Sequence, residues 1–160
     1  MHPLAEIQTI LETARFAVLA TQDCGQPHAS LVAMTPIRAN CSILFATYRS
    51  TRKFANLSRS NRVALFIGDQ IANHSESESP SVLTTHGIAS EAPLARHDEL
   101  ACKHAERHPQ LAEMLDSMDC ALVLVRITAY EIVQSIDQVR WWNVSPAPYG
   151  DELPAGRDVC

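Results

Sequence analysis

The sequence predicts a single α+β domain built around an antiparallel β-sheet. Short apolar runs follow one another across tight turns, which is typical of antiparallel strands. Helical segments are inserted between some of these runs and do not alternate with them, as they would in a parallel sheet. There is no GxGxxG motif of the dinucleotide-binding folds. The 160 residues, 46% of them hydrophobic, suffice for one compact core.

The first half of the chain predicts a helix followed by short strands. Apolar residues recur at helical spacing between Leu4 and Ala14. Turn residues such as Gly25 and Pro36 separate the apolar runs that follow. Four strands and one helix are predicted here: FAVLAT (16–21), HASLVAM (28–34), SILFAT (42–47), a helix over 51–59, and RVALFI (62–67).

The second half predicts two further strands and two helices. The polar segment GDQIANHSESESPS (68–81) is typical of a solvated loop. Gly87 lies inside an apolar run and indicates a bulge or a close backbone approach. Pro109 divides a long helical pattern, because proline favours the first turn of a new helix. The predicted elements are a strand over 82–92, helices over 96–108 and 109–117, a long strand over 120–136, and a short added strand at VRWW (139–142).

Charge and composition exclude several classes of protein. The 13 Lys and Arg against 18 Asp and Glu give a formal charge of −5, which argues against non-specific binding to nucleic acid or to an anionic membrane. No apolar run approaches the roughly 20 residues that span a bilayer. The N-terminus lacks a basic segment followed by an apolar one, and the five cysteines form no CxxC pair. We therefore expect a cytoplasmic protein with reduced thiols.

A basic turn lies between the third strand and the helix after it. TYRSTRKFANL (47–57) places Arg49, Arg52 and Lys53 within five residues of an acidic chain. Cations at a helix start are unfavourable by about 0.3–1 kcal/mol each, because unpaired N–H groups make that end positive. A bound phosphate would remove the conflict, since it accepts bonds from the N–H groups and hydroxyls and pairs with both cations. The alternative is a solvated basic turn without a ligand.

This turn is part of an ordered set of motifs. GQPHASLVAM (25–34) precedes SILFATYRSTRKFANLSRSNRVALFI (42–67). The chain thereby resembles the pyridoxamine 5′-phosphate oxidase-like family of FMN-binding split barrels, which has a GxP turn, a flavin-bordering strand, an (S/T)RK helix start and an RV strand. The resemblance implies a six-stranded antiparallel split β-barrel with peripheral helices over residues 1–142, followed by a Pro-rich tail over 143–160.

The resemblance also implies a cofactor and the residues that hold it. FMN would lie between the two subunits of a homodimer, with its ring along one strand and its phosphate at the helix start. The implied cofactor-binding residues are Ser30, Leu31, Val32 and Ala33 along the ring, Thr47 at the strand end, Ser50, Thr51, Arg52 and Lys53 around the phosphate, and Thr85, His86 and Trp141 from the second protomer.

The activity implied is that of an FMN-dependent oxidoreductase acting on a small molecule. The chain departs from the oxidase proper at Ser30 and Thr35, where that enzyme has basic residues, so the substrate stays open. Residues 105–133 also resemble the haem-utilisation branch of the superfamily, which makes haem or flavin binding without turnover the alternative. His104 and His108, four residues apart, could then support a haem or a metal. The charged helix around them favours a solvated face, and we predict no metal site.

Overall fold

The structure, a computed structural model, describes residues 3–37, 41–68, 82–135 and 138–144. Within these residues, eight strands form one curled antiparallel sheet with helices at its periphery. In chain order the elements are α1 (Pro3–Thr13), β1 (Phe16–Asp23), β2 (Gln26–Ala33), β3 (Thr35–Ile37), β4 (Ser42–Tyr48), α2 (Arg52–Arg59), β5 (Arg62–Gly68), β6 (Val82–Glu91), a 3-10 turn (Leu94–Arg96), α3 (His97–Arg107), a second 3-10 turn (Pro109–Leu111), α4 (Ala112–Leu115), β7 (Cys120–Ser135) and β8 (Gln138–Asn143).

The strand order β2-β1-β5-β6-β7-β4-β3 explains how the sheet curls. Only Met34 separates β2 from β3, so one chain segment supplies both ends of this path. The sheet must bend round until its two ends approach, which is consistent with a split barrel. The long strand β7 pairs with β6 along one edge and with β4 and then β8 along the other.

The α+β class and the antiparallel sheet are confirmed, but the predicted count of six strands is wrong. Beyond the six strands of the predicted barrel, the structure has β3, which was not predicted, and β8. Pro36, which the sequence assigned to a turn, lies in the middle of β3. It is tolerated there because β3 ends the sheet path, and an edge strand can lose one N–H group without breaking an inner ladder. β8 corresponds to the short strand expected at VRWW.

The core fills the inside of the curled sheet and the space beneath α1. It includes the fully buried side chains of Leu19, Leu65 and Val125, with Ile7 of α1. A smaller cluster beneath α3 contains Leu100. The sheet register shifts beside Gly87, where a Cβ atom would lie 2.6 Å from the Arg126 carbonyl oxygen, so the bulge expected at this glycine is confirmed.

Two segments named in the sequence analysis lie wholly or largely outside the described residues. The polar loop lies outside the described residues from position 69 to 81, as does the tail from position 145.

Cys24, Cys102 and Cys120 carry free thiols, but Cys41 is disulfide-bonded, so the expectation of reduced thiols is wrong for Cys41. Among the described helices, none has the length and apolar character needed to cross a membrane. The cytoplasmic location stays a prediction.

Candidate functional site

The start of α2 is held in place by two threonine hydroxyls. Thr51 is the N-cap residue, and its Oγ1 accepts a bond from the Phe54 N–H at 3.4 Å and donates to the Tyr48 carbonyl at 2.7 Å. The Thr47 hydroxyl, at the buried end of β4, lies 2.9 Å from the same Oγ1. The turn from strand to helix is therefore ordered by local bonds, as a preformed ligand site requires.

Arg52 and Lys53 occupy the first turn of this helix. Arg52 is exposed and Lys53 is half-buried. Within the part of the chain that the structure describes, neither side chain has a hydrogen bond or an ion pair. α2 has no acidic residue in its first turn that could offset the two charges. The predicted conflict between charge and helix dipole is therefore present in the fold.

The two residues before the N-cap are bound elsewhere. Arg49 forms a two-pronged ion pair with Glu91, with Nη1 to Oε2 at 2.9 Å, and lies 5.4 Å over the Phe54 ring. The hydrogen bond from Arg49 lowers the pKa of the Glu91 carboxyl. The Ser50 hydroxyl donates to Asp119 Oδ2 at 2.9 Å. Of the residues predicted around the phosphate, Thr51, Arg52 and Lys53 lie together at the helix start beside Thr47, while the Ser50 hydroxyl is bonded to a carboxylate.

The strand predicted to line the flavin alternates between the two faces of the sheet. Val32 is 4% exposed and belongs to the core, so Ser30, two residues earlier, faces the same way. The Ser30 hydroxyl is buried and has no partner among the described residues. Leu31 points outward and is 60% exposed. Because β2 is the end strand of the path, its second edge is not paired with another described strand.

The residues proposed for the second protomer lie on opposite faces of β6 and its neighbours. Thr85 points into the core with 0% exposure, and its hydroxyl has no described partner. His86 points outward, where its ring stacks on Trp141 at a centroid distance of 5.1 Å and an interplanar angle of 22°. The His86 Nε2 lies 3.4 Å from Glu131 Oε2. The structure therefore joins His86 and Trp141 into one cluster and separates Thr85 from it.

His104 and His108 form a buried pair, and the expected solvated face is wrong. Both side chains have 0% exposure, and their ring centroids lie 4.9 Å apart. His104 Nδ1 lies 2.8 Å from the Thr35 hydroxyl, and His108 Nε2 donates to the Met34 carbonyl at 2.8 Å. Burial, with help from His108 and Arg107, lowers the pKa of His104 to about 4. The pair therefore packs as neutral imidazoles.

Sequence reasoning missed four polar residues around the site. Glu91, Asp119 and Glu131 are partners of residues that it did select, and each partnership joins positions far apart in the chain. Asn56 could have been identified from the local sequence. It stands between apolar Phe54 and Leu57 in a helix, and asparagine is a weak helix former. In the structure Asn56 is 2% exposed.

Comparisons with known proteins agree with this fold and show the family of the chain. The family model described as pyridoxamine 5′-phosphate oxidase matches residues 4–133. The chain belongs to this family. A protein of Schizosaccharomyces pombe described as a pyridoxamine 5′-phosphate oxidase homolog is 23% identical to it, over 94% of this chain and 93% of that protein.

Two solved structures show how widely this fold is used. A heme binding protein from Mycobacterium smegmatis has a TM-score of 0.76 and 18% identity, over 86% of this chain and 56% of that one. An FAD-binding protein from Mesorhizobium loti has a TM-score of 0.65 and 14% identity, over 79% of this chain and 90% of that one. At these identities the likeness concerns the fold alone. The chain spans little more than half of the mycobacterial protein.

Proposed function

We propose that this member of the pyridoxamine 5′-phosphate oxidase family binds FMN and is an FMN-dependent oxidoreductase. The observation that carries the proposal is the pair Arg52 and Lys53, two cations without a described partner at the capped start of a helix. A phosphate placed there accepts bonds from the first-turn N–H groups and neutralises both charges. The Thr47 and Thr51 hydroxyls border the same turn.

The strand β2 suits the flavin ring for a separate reason. Its outer edge leaves backbone N–H and C=O groups without a strand partner in the described chain, and such groups can bond the polar edge of the ring. The buried Ser30 hydroxyl, which also lacks a described partner, lies on this strand. FMN, when bound, supplies the hydride or electron transfer. The protein holds the phosphate, orients the ring and excludes water.

We also propose that a second copy of the chain covers the outer face of the sheet. One row of side chains crosses strands β2, β1, β5, β6, β7 and β8. It contains, in that order, Leu31, Val18, Phe66, Thr84, Glu131 and Trp141. Leu31, Phe66 and Trp141 are 60%, 42% and 53% exposed. Four of these six residues are apolar, with Thr84 and Glu131 between Phe66 and Trp141, and an exposed apolar surface on a sheet is typical of a contact surface. His86 and Trp141 would then reach the cofactor of the partner.

The first test is the absorbance spectrum of the freshly purified protein, followed by titration with FMN and mass identification of any bound molecule. We expect a yellow protein, or a colourless one that binds FMN with micromolar or better affinity. Colourless protein that ignores added FMN would overturn the flavoprotein assignment. The same spectrum tests the alternative of haem binding, which would appear as a Soret band on titration with haem.

The histidine pair does not favour that alternative. A haem ligand must present a ring nitrogen to the iron, and both imidazoles have 0% exposure. Their outward-facing neighbours on α3 are charged residues that pair with one another, such as Lys103 with Glu99 at 3.0 Å. Flavin binding without turnover is distinguished from oxidoreductase activity by whether bound FMN is reduced and reoxidised in cycles when donors are supplied.

The dimer is tested by size-exclusion chromatography with light scattering. Phe66→Glu replaces the exposed aromatic side chain near the centre of this row by a charged one, so we expect a monomer with weakened FMN binding. Leu94→Glu is the matched control, because Leu94 is 91% exposed and lies in the turn before α3 rather than on the sheet. A wild-type chain that is monomeric at all concentrations would refute the dimer.

A further inference from the structure

A buried hydrogen bond joins α2 to the β1–β2 hairpin. Asn56, in the middle of α2, is 2% exposed, and its Nδ2 donates to the Thr21 hydroxyl on β1 at 3.0 Å. Thr21 is 4% exposed and its hydroxyl in turn lies 3.5 Å from the carbonyl oxygen of His28 on β2. Helix, first strand and second strand are thus connected through one short polar chain.

This connection differs from the other contacts between the same elements. Gln22 bonds the Ser60 hydroxyl at 3.3 Å just beyond the end of the helix, and Arg59 pairs with Asp23, but both contacts are exposed to water. Exposed pairs contribute little to a fixed geometry. A buried amide must be hydrogen-bonded, since an unsatisfied one costs about 1–3 kcal/mol, so its partner fixes its position.

The location of Asn56 connects the two halves of the proposed cofactor site. It lies one turn beyond Arg52 and Lys53 on the same helix, so a shift of Asn56 along β1 displaces both cations with it. At its other end the polar chain reaches His28, two residues before Ser30 on the strand proposed to line the ring. In the proposed site, α2 binds the phosphate and β2 binds the ring of the same ligand.

We infer that Asn56 is a positioning residue that fixes the distance between the phosphate-binding start of α2 and the ring-lining strand β2. The inference rests on the proposed FMN site. A ligand that binds at two linked points gains affinity only while the points are held at the matching separation. Without the Asn56–Thr21 bond, α2 and the hairpin can shift relative to one another. FMN then cannot engage both ends fully at once.

Riboflavin makes this effect measurable, because it carries the same ring without the phosphate. A loosened α2 weakens FMN binding but leaves riboflavin binding almost unchanged. The ratio of the riboflavin Kd to the FMN Kd therefore reports the coupling between the two ends. General destabilisation of the fold would weaken both ligands together and leave the ratio as it was.

The experiment compares this ratio, from fluorescence titrations, in wild type and four variants. We expect Asn56→Ala and Thr21→Val to lower the ratio by about tenfold or more, the scale of one buried hydrogen bond. Thr21→Ser keeps the hydroxyl and should restore the ratio to within about twofold of wild type, on the same scale. Gln22→Ala removes a neighbouring exposed contact between the same two elements and should leave the ratio unchanged.

Three results would overturn the inference. The first is an unchanged affinity for both FMN and riboflavin in Asn56→Ala or Thr21→Val, and the second is an equal loss of affinity for both, which leaves the ratio unchanged. If Asn56→Ala does not fold, Thr21→Val decides, since it removes one hydroxyl at nearly constant volume. The third result, a wild-type chain that binds neither flavin, removes the proposed function together with the inference. In the first two results FMN binding to wild type still stands, so the two failures are distinct.

Discussion

Two basic segments, STRK at the start of α2 and KHAERH at the end of α3, have opposite environments in the fold. In the first, Arg52 and Lys53 lie at the positive end of their helix and have no partner in the described chain. In the second, Arg107 lies at the negative end, where its charge favours the helix. Arg107 and the neutral imidazoles of His104 and His108 are also bonded to other elements of the protein.

The bonds of the α3 segment are made mostly to carbonyl oxygens. Arg107 Nη2 donates to the carbonyls of Glu12 and Ala14 at 2.7 and 2.6 Å, where α1 ends. His108 donates to the Met34 carbonyl, next to the Thr35 hydroxyl that contacts His104. The histidine pair thus holds α3 against the junction of β2 and β3. Burial and the neighbouring Arg15 lower the pKa of Arg107.

A binding residue differs from a structural residue of the same type in whether the protein itself satisfies its polar groups. The α3 groups contribute to stability, because other parts of the protein satisfy the hydrogen bonds of Arg107 and of the two neutral histidines. The α2 cations oppose the helix that carries them, and a ligand is needed to make them favourable. Removing the α2 pair should therefore change ligand binding and leave stability intact, and disturbing the α3 pair should do the reverse.

The largest expected effect comes from the double variant Arg52→Ala/Lys53→Ala. If both side chains bond the FMN phosphate, the Kd should rise by roughly 100-fold or more, since each charged hydrogen bond contributes about 1.5–3 kcal/mol. The free energy of unfolding without FMN should stay the same or rise slightly, because two charges leave the wrong end of the helix dipole. Isothermal titration calorimetry and urea denaturation measure the two quantities.

Arg59→Ala is the matched control for this double variant. Arg59 lies on the same helix at its opposite end and pairs with Asp23 on the surface. It should change the Kd for FMN by less than about twofold, as expected for an exposed ion pair outside the site. An equal loss of affinity in the control and the double variant would mean that overall charge, and not a phosphate contact, drives binding.

The local structure at the start of α2 could be predicted from sequence because its contacts are local. Thr47, Thr51 and Phe54 lie within eight positions of one another, and the capping and dipole rules apply to such short segments. The strands were predictable for a similar reason, since period-2 burial and turn residues are local properties. Even so, Pro36 predicts a turn at the position where the structure has β3, because proline is more common in turns than inside strands.

The environment of α3 could not be predicted in this way. The His104–Thr35 contact spans 69 positions and the His108–Met34 contact spans 74, so no local pattern indicates them. The flanking residues Lys103 and Glu106 are exposed and made the whole helix look solvated. Which face of such a helix is buried depends on tertiary packing, here against the bend between β2 and β3.

The second effect, of intermediate size, is acid destabilisation through the histidine pair. The folded pKa of His104 is lowered from 6.5 to about 4, so the unfolded chain takes up the proton first as the pH falls. Stability should be constant above pH 6.5 and decline below it until about pH 4. The linkage relation gives a loss of about 2 kcal/mol between pH 7 and pH 5, before most carboxylates titrate. Burial lowers the pKa of His108 as well, which adds in the same direction.

Urea denaturation at pH 7 and pH 5 measures this loss. His104→Gln should reduce the difference between the two pH values, because the variant has no titrating group at that position. His97→Gln is the control, since His97 lies at the other end of α3 with a partly exposed side chain, and the difference should persist in it. A wild-type protein equally stable at both pH values would show that the buried pair accepts protons freely.

The smallest expected effect concerns the Thr35 hydroxyl that contacts His104. Its removal should change the free energy of unfolding and leave FMN binding intact, the opposite of the result expected for the α2 cations. Thr35→Val leaves His104 Nδ1 buried without its partner at 2.8 Å, which should lower the free energy of unfolding by about 1–2 kcal/mol. Thr35→Ser keeps the hydroxyl and should recover most of that loss. Because the Thr35 side chain is 6% exposed and its hydroxyl contacts His104, with no partner shared with Arg52 or Lys53, the FMN Kd should stay within about twofold in both variants. If Thr35→Val instead weakened FMN binding as much as Arg52→Ala/Lys53→Ala, the α3 contact would be part of the cofactor site, and the distinction between a stabilising and a binding segment would fail.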